Sequence, residues 1–264
     1  MTRLEPSDEA SVAGHLQQNL QRPVGLEVWT RKESVLVRSD RDPCVRCDDV
    51  VELAKQIVAL HPGLSLTLYD LDKHADRAAE AGIEIPPLTT IRSGGRELRF
   101  VGLWGAGLLT TLVDVLIFAS AGRTPLQDET REALSAVSET VNLELLVAPY
   151  DPFSVYMTKL VLSLGVESKN VRVQVTNVSE FPLLAQRRAV TEVPVLFLNQ
   201  RRYVGAWDDD DLVEQIRRVA AGDDEPVIRD RIPTSPFMTD GEAQRAQPQQ
   251  PTEKTSPGGI ILPG

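Results

Sequence analysis

The chain has 264 residues, 42% hydrophobic and 25% charged, the balance of a soluble globular protein of one large or two small domains. Its 28 Lys and Arg against 38 Asp and Glu leave a net charge of −10, which argues against binding a phosphate backbone or an anionic lipid surface. No apolar run reaches the ~20 residues of a membrane span, the acidic N-terminus has no secretory h-region, and two cysteines cannot staple a secreted scaffold. The expectation is a cytoplasmic protein with no nucleic-acid and no membrane partner.

Strand and helix signals alternate along the body. An N-terminal helix is expected first. Residues 24–30 and 34–38 read as short strands around Arg31-Lys32-Glu33. Val50, Val51, Ala54, Ile57 and Val58 recur at helical spacing. Residues 64–69 read as a strand and residues 72–81 as a helix. Residues 88–91 and 97–101 flank Ser93-Gly94-Gly95 as a hairpin, and a helix over about 106–120 closes the unit. The order then recurs as a helix over 133–139, a strand over 143–147, a helix over 155–164 and a strand over 171–175. A helix over 181–189, a hairpin of 195–198 and 202–204 around Asn199-Gln200, and a helix over 208–219 complete it. Asp208 stands at the N-cap of that last helix.

The recurrence has an arithmetic basis. Cys44 precedes Pro87 by 43 residues, and Asp151 precedes Pro194 by 43 residues, so both points are displaced by 107. A duplicated α/β design follows, two tandem βαβαββα units. The first spans residues 1–122 and the second 123–221. Residues 222–264 are expected to be a disordered tail, because 7 of the 18 prolines and a long polar stretch fall there. The tail ends on Gly259-Ile260-Ile261-Leu262-Pro263, a short apolar segment with the character of a docking peptide.

One motif carries sharp chemistry. Cys44-Val45-Arg46-Cys47 is a CxxC between a strand and a helix, which places the first thiol at a helix N-terminus, where the dipole favours the thiolate. Arg41 and Arg46 add to this effect, and Asp42, Asp48 and Asp49 oppose it. Cys47, one turn further on, can attack a mixed disulfide and release the partner. Structural zinc takes four ligands. There is no second cysteine pair, and His15, His61 and His74 lack finger spacing, so no metal is expected. An inert structural pair is the other reading. Pro86 and Pro87 offer a cis X-Pro bond opposite the motif, and either bond can be the special one. With Val45 and Arg46 they are the expected substrate-binding residues. Asp208 to Asp211 read as an acidic helix start rather than a calcium loop. Ser154 has no visible His partner for hydrolysis.

The sequence resembles the protein disulfide oxidoreductases built from two glutaredoxin- or thioredoxin-like units. It is also similar to the tandem thioredoxin-fold N-terminal domain of the alkyl hydroperoxide reductase flavoprotein subunit. The resemblance rests on Arg22-Pro23-Val24, the Cys44–Cys47 motif, Ile85-Pro86-Pro87-Leu88, Phe100-Val101-Gly102-Leu103-Trp104 and Glu192-Val193-Pro194-Val195, and covers residues 12–221. It implies catalytic Cys44 and Cys47 beside a cis Pro87, no cofactor, and protein disulfides or dithiols as substrates. A peroxiredoxin or a reductase is the implied redox partner. The second unit departs from the pattern. Asp151-Pro152-Phe153-Ser154 stands where a second CxxC belongs, while Pro194 is kept, a degenerate site without sulfur.

Two readings follow. One is a thiol–disulfide oxidoreductase whose second unit and tail bind partners. The other is a non-catalytic tandem thioredoxin-fold adaptor. In either, the terminal peptide resembles in layout the cargo peptides of encapsulin shells, which implies tethering to a larger assembly; a disordered end without a partner is the other reading.

Overall fold

The computed structural model describes residues 4–32, 42–223, 225–227 and 233–246. Helix α1 (Pro6–Asn19) leads into strand β1 (Val24–Thr30), whose Val24, Leu26 and Val28 are buried. β1 pairs parallel with β2 (Leu64–Asp70) and antiparallel with β3 (Leu88–Ser93). β3 turns through Gly94 and Gly95, both at positive φ, into β4 (Arg96–Val101). Helices α2 (Cys47–Ala59), α3 (Ala75–Glu80) and α4 (Gly107–Ala121) connect or follow these strands.

The second half repeats the design. Helix α5 (Asp128–Ser135), strand β5 (Val141–Val147), helix α6 (Pro152–Glu167) and strand β6 (Val171–Asn177) come first. A 3-10 turn (Val178–Glu180) and helix α7 (Pro182–Arg187) lead to β7 (Glu192–Val193), β8 (Val195–Leu198) and β9 (Arg201–Val204), and helix α8 (Asp209–Ala220) closes it. β5 is parallel to β6 and antiparallel to β8, as β1 is to β2 and β3. The fold is therefore two tandem βαβαββα units.

The units are fused more closely than a linker would require. β4 runs parallel to β6, giving one eight-stranded sheet in the order β2-β1-β3-β4-β6-β5-β8-β9. One apolar core, with Leu53 and Ile57 of α2, Leu112 and Leu116 of α4, Val161 and Leu164 of α6 and Leu212 and Ile216 of α8, spans both halves. A second, with Trp29, Leu88, Leu146, Phe181, Leu184 and Phe197, also draws on both. α6 packs so tightly that a Cβ on Gly165 would stand 2.6 Å from Val173 and 2.7 Å from Leu98, so no larger residue fits there without displacing its neighbours. Arg96 Nε donates to the carbonyl of Val166 at 2.8 Å, tying β4 to the end of α6.

The 107-residue displacement holds for the starts of β2 and β6 and of β3 and β8. β1 and β5 start 117 residues apart instead. The first unit therefore has ten extra residues between its first strand and the CxxC.

Two expectations shift and the expected N-cap holds. The helix expected over 133–139 runs from Asp128 to Ser135, because Asp128 and Glu129 supply the acidic first turn that favours a helix N-terminus. Asp208 occupies the N-cap of α8 without a side-chain cap bond. Residues 233–246, placed in the tail by composition, form β10 (Ser235–Pro236) and α9 (Asp240–Ala246) against the second unit. The strand expected over 34–38, Arg41, and the docking peptide Gly259, Ile260, Ile261, Leu262 and Pro263 lie outside the described residues.

Candidate redox site and its degenerate counterpart

The CxxC lies beyond the C-terminal end of β1. Cys44 and Cys47 are joined by a disulfide with their Cα atoms 5.4 Å apart. Helix α2 begins at Cys47, not at Cys44. Arg46 is its N-cap, and the first i to i+4 bond runs from the Val50 amide to the Arg46 carbonyl. Cys44 therefore sits in the turn before the helix, where its carbonyl accepts the Cys47 amide at 3.3 Å. The two sulfurs are held differently. Cys47 Sγ accepts the backbone N–H of Arg31 at 3.2 Å, which pins it to the end of β1. Cys44 is followed directly by Val45, 67% exposed in a molecule whose large apolar side chains are otherwise mostly buried.

Pro86 and Pro87 are both buried, and the bond between them is the cis one. The Pro87 carbonyl accepts the Gly102 amide at 2.8 Å. Gly102 has φ +104, and a Cβ there would meet Asn177 at 2.9 Å, so glycine is required by backbone angle and by space.

The second unit repeats two contacts of this frame, with a hydroxyl oxygen in place of the inner sulfur. Ser154 Oγ accepts the Ala148 amide at 3.2 Å, at the same step beyond β5 as Arg31 beyond β1. Val193-Pro194 is cis, and the Pro194 carbonyl accepts the Gly205 amide at 2.9 Å. Asp151, 1% exposed, replaces the outer sulfur and caps α6, accepting the amides of Ser154 at 2.7 Å and Phe153 at 3.4 Å. Its Oδ1 also accepts the Ser235 hydroxyl at 2.7 Å. Asp151→Ala is expected to cost about 1–2 kcal/mol, the worth of a lost N-cap, lowering Tm by about 2–4 °C per kcal/mol in a thermal melt.

Several residues around the CxxC escape a reading of local motifs. Asp42, expected to oppose a thiolate, instead accepts the amides of Leu183 and Leu184 at 3.0 Å each, joining the approach to Cys44 to α7 of the second unit. Arg46 pairs with Asp49 at 3.0 Å and reaches Asp240 of α9 at 3.7 Å. Glu180 lies behind this pair. Its Oε1 accepts the Leu103 amide at 2.8 Å and the Asn177 side-chain amide at 2.7 Å, while its Oε2 is buried with no hydrogen-bond partner among the described residues. Burial pushes the Glu180 carboxyl up to about 7, reinforced by Asp240 and opposed by the Leu103 amide, Arg46 and Asn177. The spacing of these residues carries no local signal: β4 pairing with β6 brings Glu180 to Leu103, α7 meets Asp42, and α9 carries Asp240.

Among the described residues no group of three or more His, Cys, Asp and Glu is placed to hold a metal ion. No helix among them is long and apolar enough to cross a membrane.

No family model matches the chain, and no curated protein matches it. Solved structures do. The N-terminal domain of alkylhydroperoxide reductase AhpF from Enterococcus faecalis superposes with a TM-score of 0.70 at 15% identity, over 81% of this chain and 100% of that one. A protein disulfide oxidoreductase from Aeropyrum pernix superposes with a TM-score of 0.71 at 22% identity, over 84% and 95%. Sso1120 from Sulfolobus solfataricus gives 0.53 at 12% identity, over 73% and 96%. With both halves of those domains matched nearly end to end, the chain has the tandem thioredoxin-like fold that they share.

Proposed function

We propose that the protein is a thiol–disulfide oxidoreductase working through the single Cys44–Cys47 pair, with proteins as its substrates. One observation carries the reading. The two cysteines are bonded at the end of β1, with Cys47 pinned by the Arg31 amide and Cys44 set beside exposed Val45. That asymmetry suits an outer attacking sulfur and an inner resolving one.

In the reduced form the Cys44 thiolate attacks one sulfur of a partner disulfide. A Cys44–partner bond forms as the partner's S–S bond breaks, and the partner's other sulfur leaves as a thiolate. Cys47 then attacks Cys44 Sγ, the mixed disulfide breaks, and the partner departs as a dithiol. The Cys44–Cys47 disulfide that remains carries the two-electron oxidation, and an external dithiol reductant must reverse it. Val45, Arg46 and the cis Pro87 frame the place where a partner segment would lie. A peroxiredoxin or another protein disulfide suits this chemistry, and a cytoplasmic setting favours the reducing direction.

The test is a redox titration in glutathione buffers, with the free thiols counted by alkylation. A reversible two-electron transition is expected. Cys47→Ser is expected to accumulate a mixed disulfide through Cys44 that dithiothreitol releases. If Cys44 and Cys47 do not cycle, the reading is wrong and the chain is an adaptor.

A further inference from the structure

The second unit is not an empty relic. Residues 233–238 run along the edge that leads into the cis Pro194. Ser235 pairs with Val193 and Pro236 with Glu192 in antiparallel register. The Phe237 amide donates to the Thr191 carbonyl at 3.0 Å, and the Ala206 amide donates to the Pro233 carbonyl at 3.0 Å. The side chains are read as well. The Ser235 hydroxyl donates to Asp151, the residue at the position of the missing sulfur, and Phe237 packs on the apolar cluster that contains Val193 and Phe181. The Tyr150 hydroxyl accepts the Met238 amide at 2.6 Å and lies 3.2 Å from the Pro236 and Met238 carbonyls. Beyond this strap, Thr239 and Glu242 cap α9 reciprocally. Asp240 then accepts the Ser179 hydroxyl at 2.7 Å and faces Arg46 of the CxxC at 3.7 Å.

We infer that the second unit is a peptide-binding site for an extended Ser-Pro-aromatic segment, and that residues 233–238 are its resident ligand, which a partner segment of the same chemistry displaces. Edge pairing supplies affinity without sequence demands. The Asp151 carboxylate selects a hydroxyl, and the apolar cluster selects the ring two residues later. Asp240 follows Ser235 by only five residues, so displacement of the strap takes Asp240 off Arg46 and opens that flank of the dithiol. The binding site stands apart from the proposed redox function; only this last consequence rests on it.

The probe is a fluorescein-labelled peptide of residues 233–246, measured by anisotropy against the full chain. In the unaltered chain the tethered copy competes at an effective concentration of the order of millimolar. The double variant Ser235→Asp with Phe237→Ala weakens the tethered copy and leaves the groove intact. It is expected to bind the probe at least tenfold more tightly than the unaltered chain. A probe carrying Ser235→Asp is expected to lose that binding. Equal affinity for the two chains, or no binding to a double variant whose circular dichroism is native, overturns the site.

A second measurement needs no variant. Millimolar unlabelled peptide added to the isotopically labelled unaltered chain is expected to speed hydrogen exchange at the Phe237 and Met238 amides, and unchanged protection overturns the proposal. The link to the dithiol has its own reading. After reduction, Cys44 in the double variant is expected to alkylate several-fold faster than in the unaltered chain, and an equal rate overturns the link while the binding measurements stand.

Discussion

Cys44→Ser is expected to reduce insulin-disulfide reduction to the uncatalysed background, while Cys47→Ser keeps the first step and loses turnover. The difference follows from where the two sulfurs sit. Cys44 lies in the turn before α2, 8% exposed beside the 67% exposed Val45, and is the sulfur proposed to meet a partner. Cys47 is the first residue of the helix, and its Sγ already accepts the Arg31 amide. A serine hydroxyl at position 44 has no ionised form near neutral pH and cannot form a disulfide, so no part of the exchange survives. A serine at position 47 has a precedent inside the molecule, because Ser154 accepts the Ala148 amide in the matching place. Cys47→Ser is therefore expected to fold normally and to stop at the mixed disulfide, whereas a Cys44→Ser chain captures nothing. Gel shifts under non-reducing conditions distinguish the two. Capture by Cys44→Ser and not by Cys47→Ser would show that the assignment of outer and inner sulfur is reversed, and equal capture would show that either sulfur attacks.

What the sequence disclosed and what it concealed divide along a physical line. The CxxC, the X-Pro pairs and the alternating apolar runs are local, and each maps onto its element because backbone geometry within a few residues decides it. The 107-residue displacement was legible because two copies of one motif sit on the same frame. The start of α2 was misplaced by three residues because a CxxC does not reveal which of its residues first takes helical angles. Asp42, Glu180 and Asp240 could not be found by pattern. Asp42 meets α7 across 141 residues of chain, and Glu180 meets the Leu103 amide across 77. Residues 233–246 were hidden for a different reason. Thr239 to Glu242 has capping-box spacing, but the proline- and glutamine-rich surroundings dominate the composition, and order here comes from a groove made elsewhere.

The ten extra residues before the CxxC and the strap over the second unit also bear on each other. The first unit reaches toward the second through Asp42, and the second unit's strap reaches back through Asp240 to Arg46. The second unit, which has no cysteine, and the segment that follows it thus touch the CxxC and its approach through two contacts. Under the proposed function and the proposed peptide site the two units divide the labour, with Asp151 serving as helix cap and hydrogen-bond acceptor at the position that matches Cys44.

Stability is expected to fall as pH rises from about 4.5 to about 7 because of Glu180. In the unfolded chain this carboxyl titrates near 4.5, and in the fold burial raises it to about 7. Between those values the native state binds the extra proton, so raising the pH favours unfolding. Below the unfolded value both states are protonated and the effect is absent; above the folded value it is complete. The gap corresponds to about 3 kcal/mol at about 1.4 kcal/mol per pH unit. The charged groups facing Glu180 are Asp240 of α9, which opposes ionisation, and Arg46, which favours it. Other carboxylates titrate over the same range, so the measurement is a comparison. Glu180→Gln keeps an oxygen for the Leu103 amide and removes the charge. Denaturant melts of the two chains are expected to diverge as pH rises, with the variant the more stable above pH 7 by up to about 3 kcal/mol and the difference fading toward pH 4.5. Parallel stability curves across that range would show that Glu180 ionises normally and holds no proton beside the CxxC.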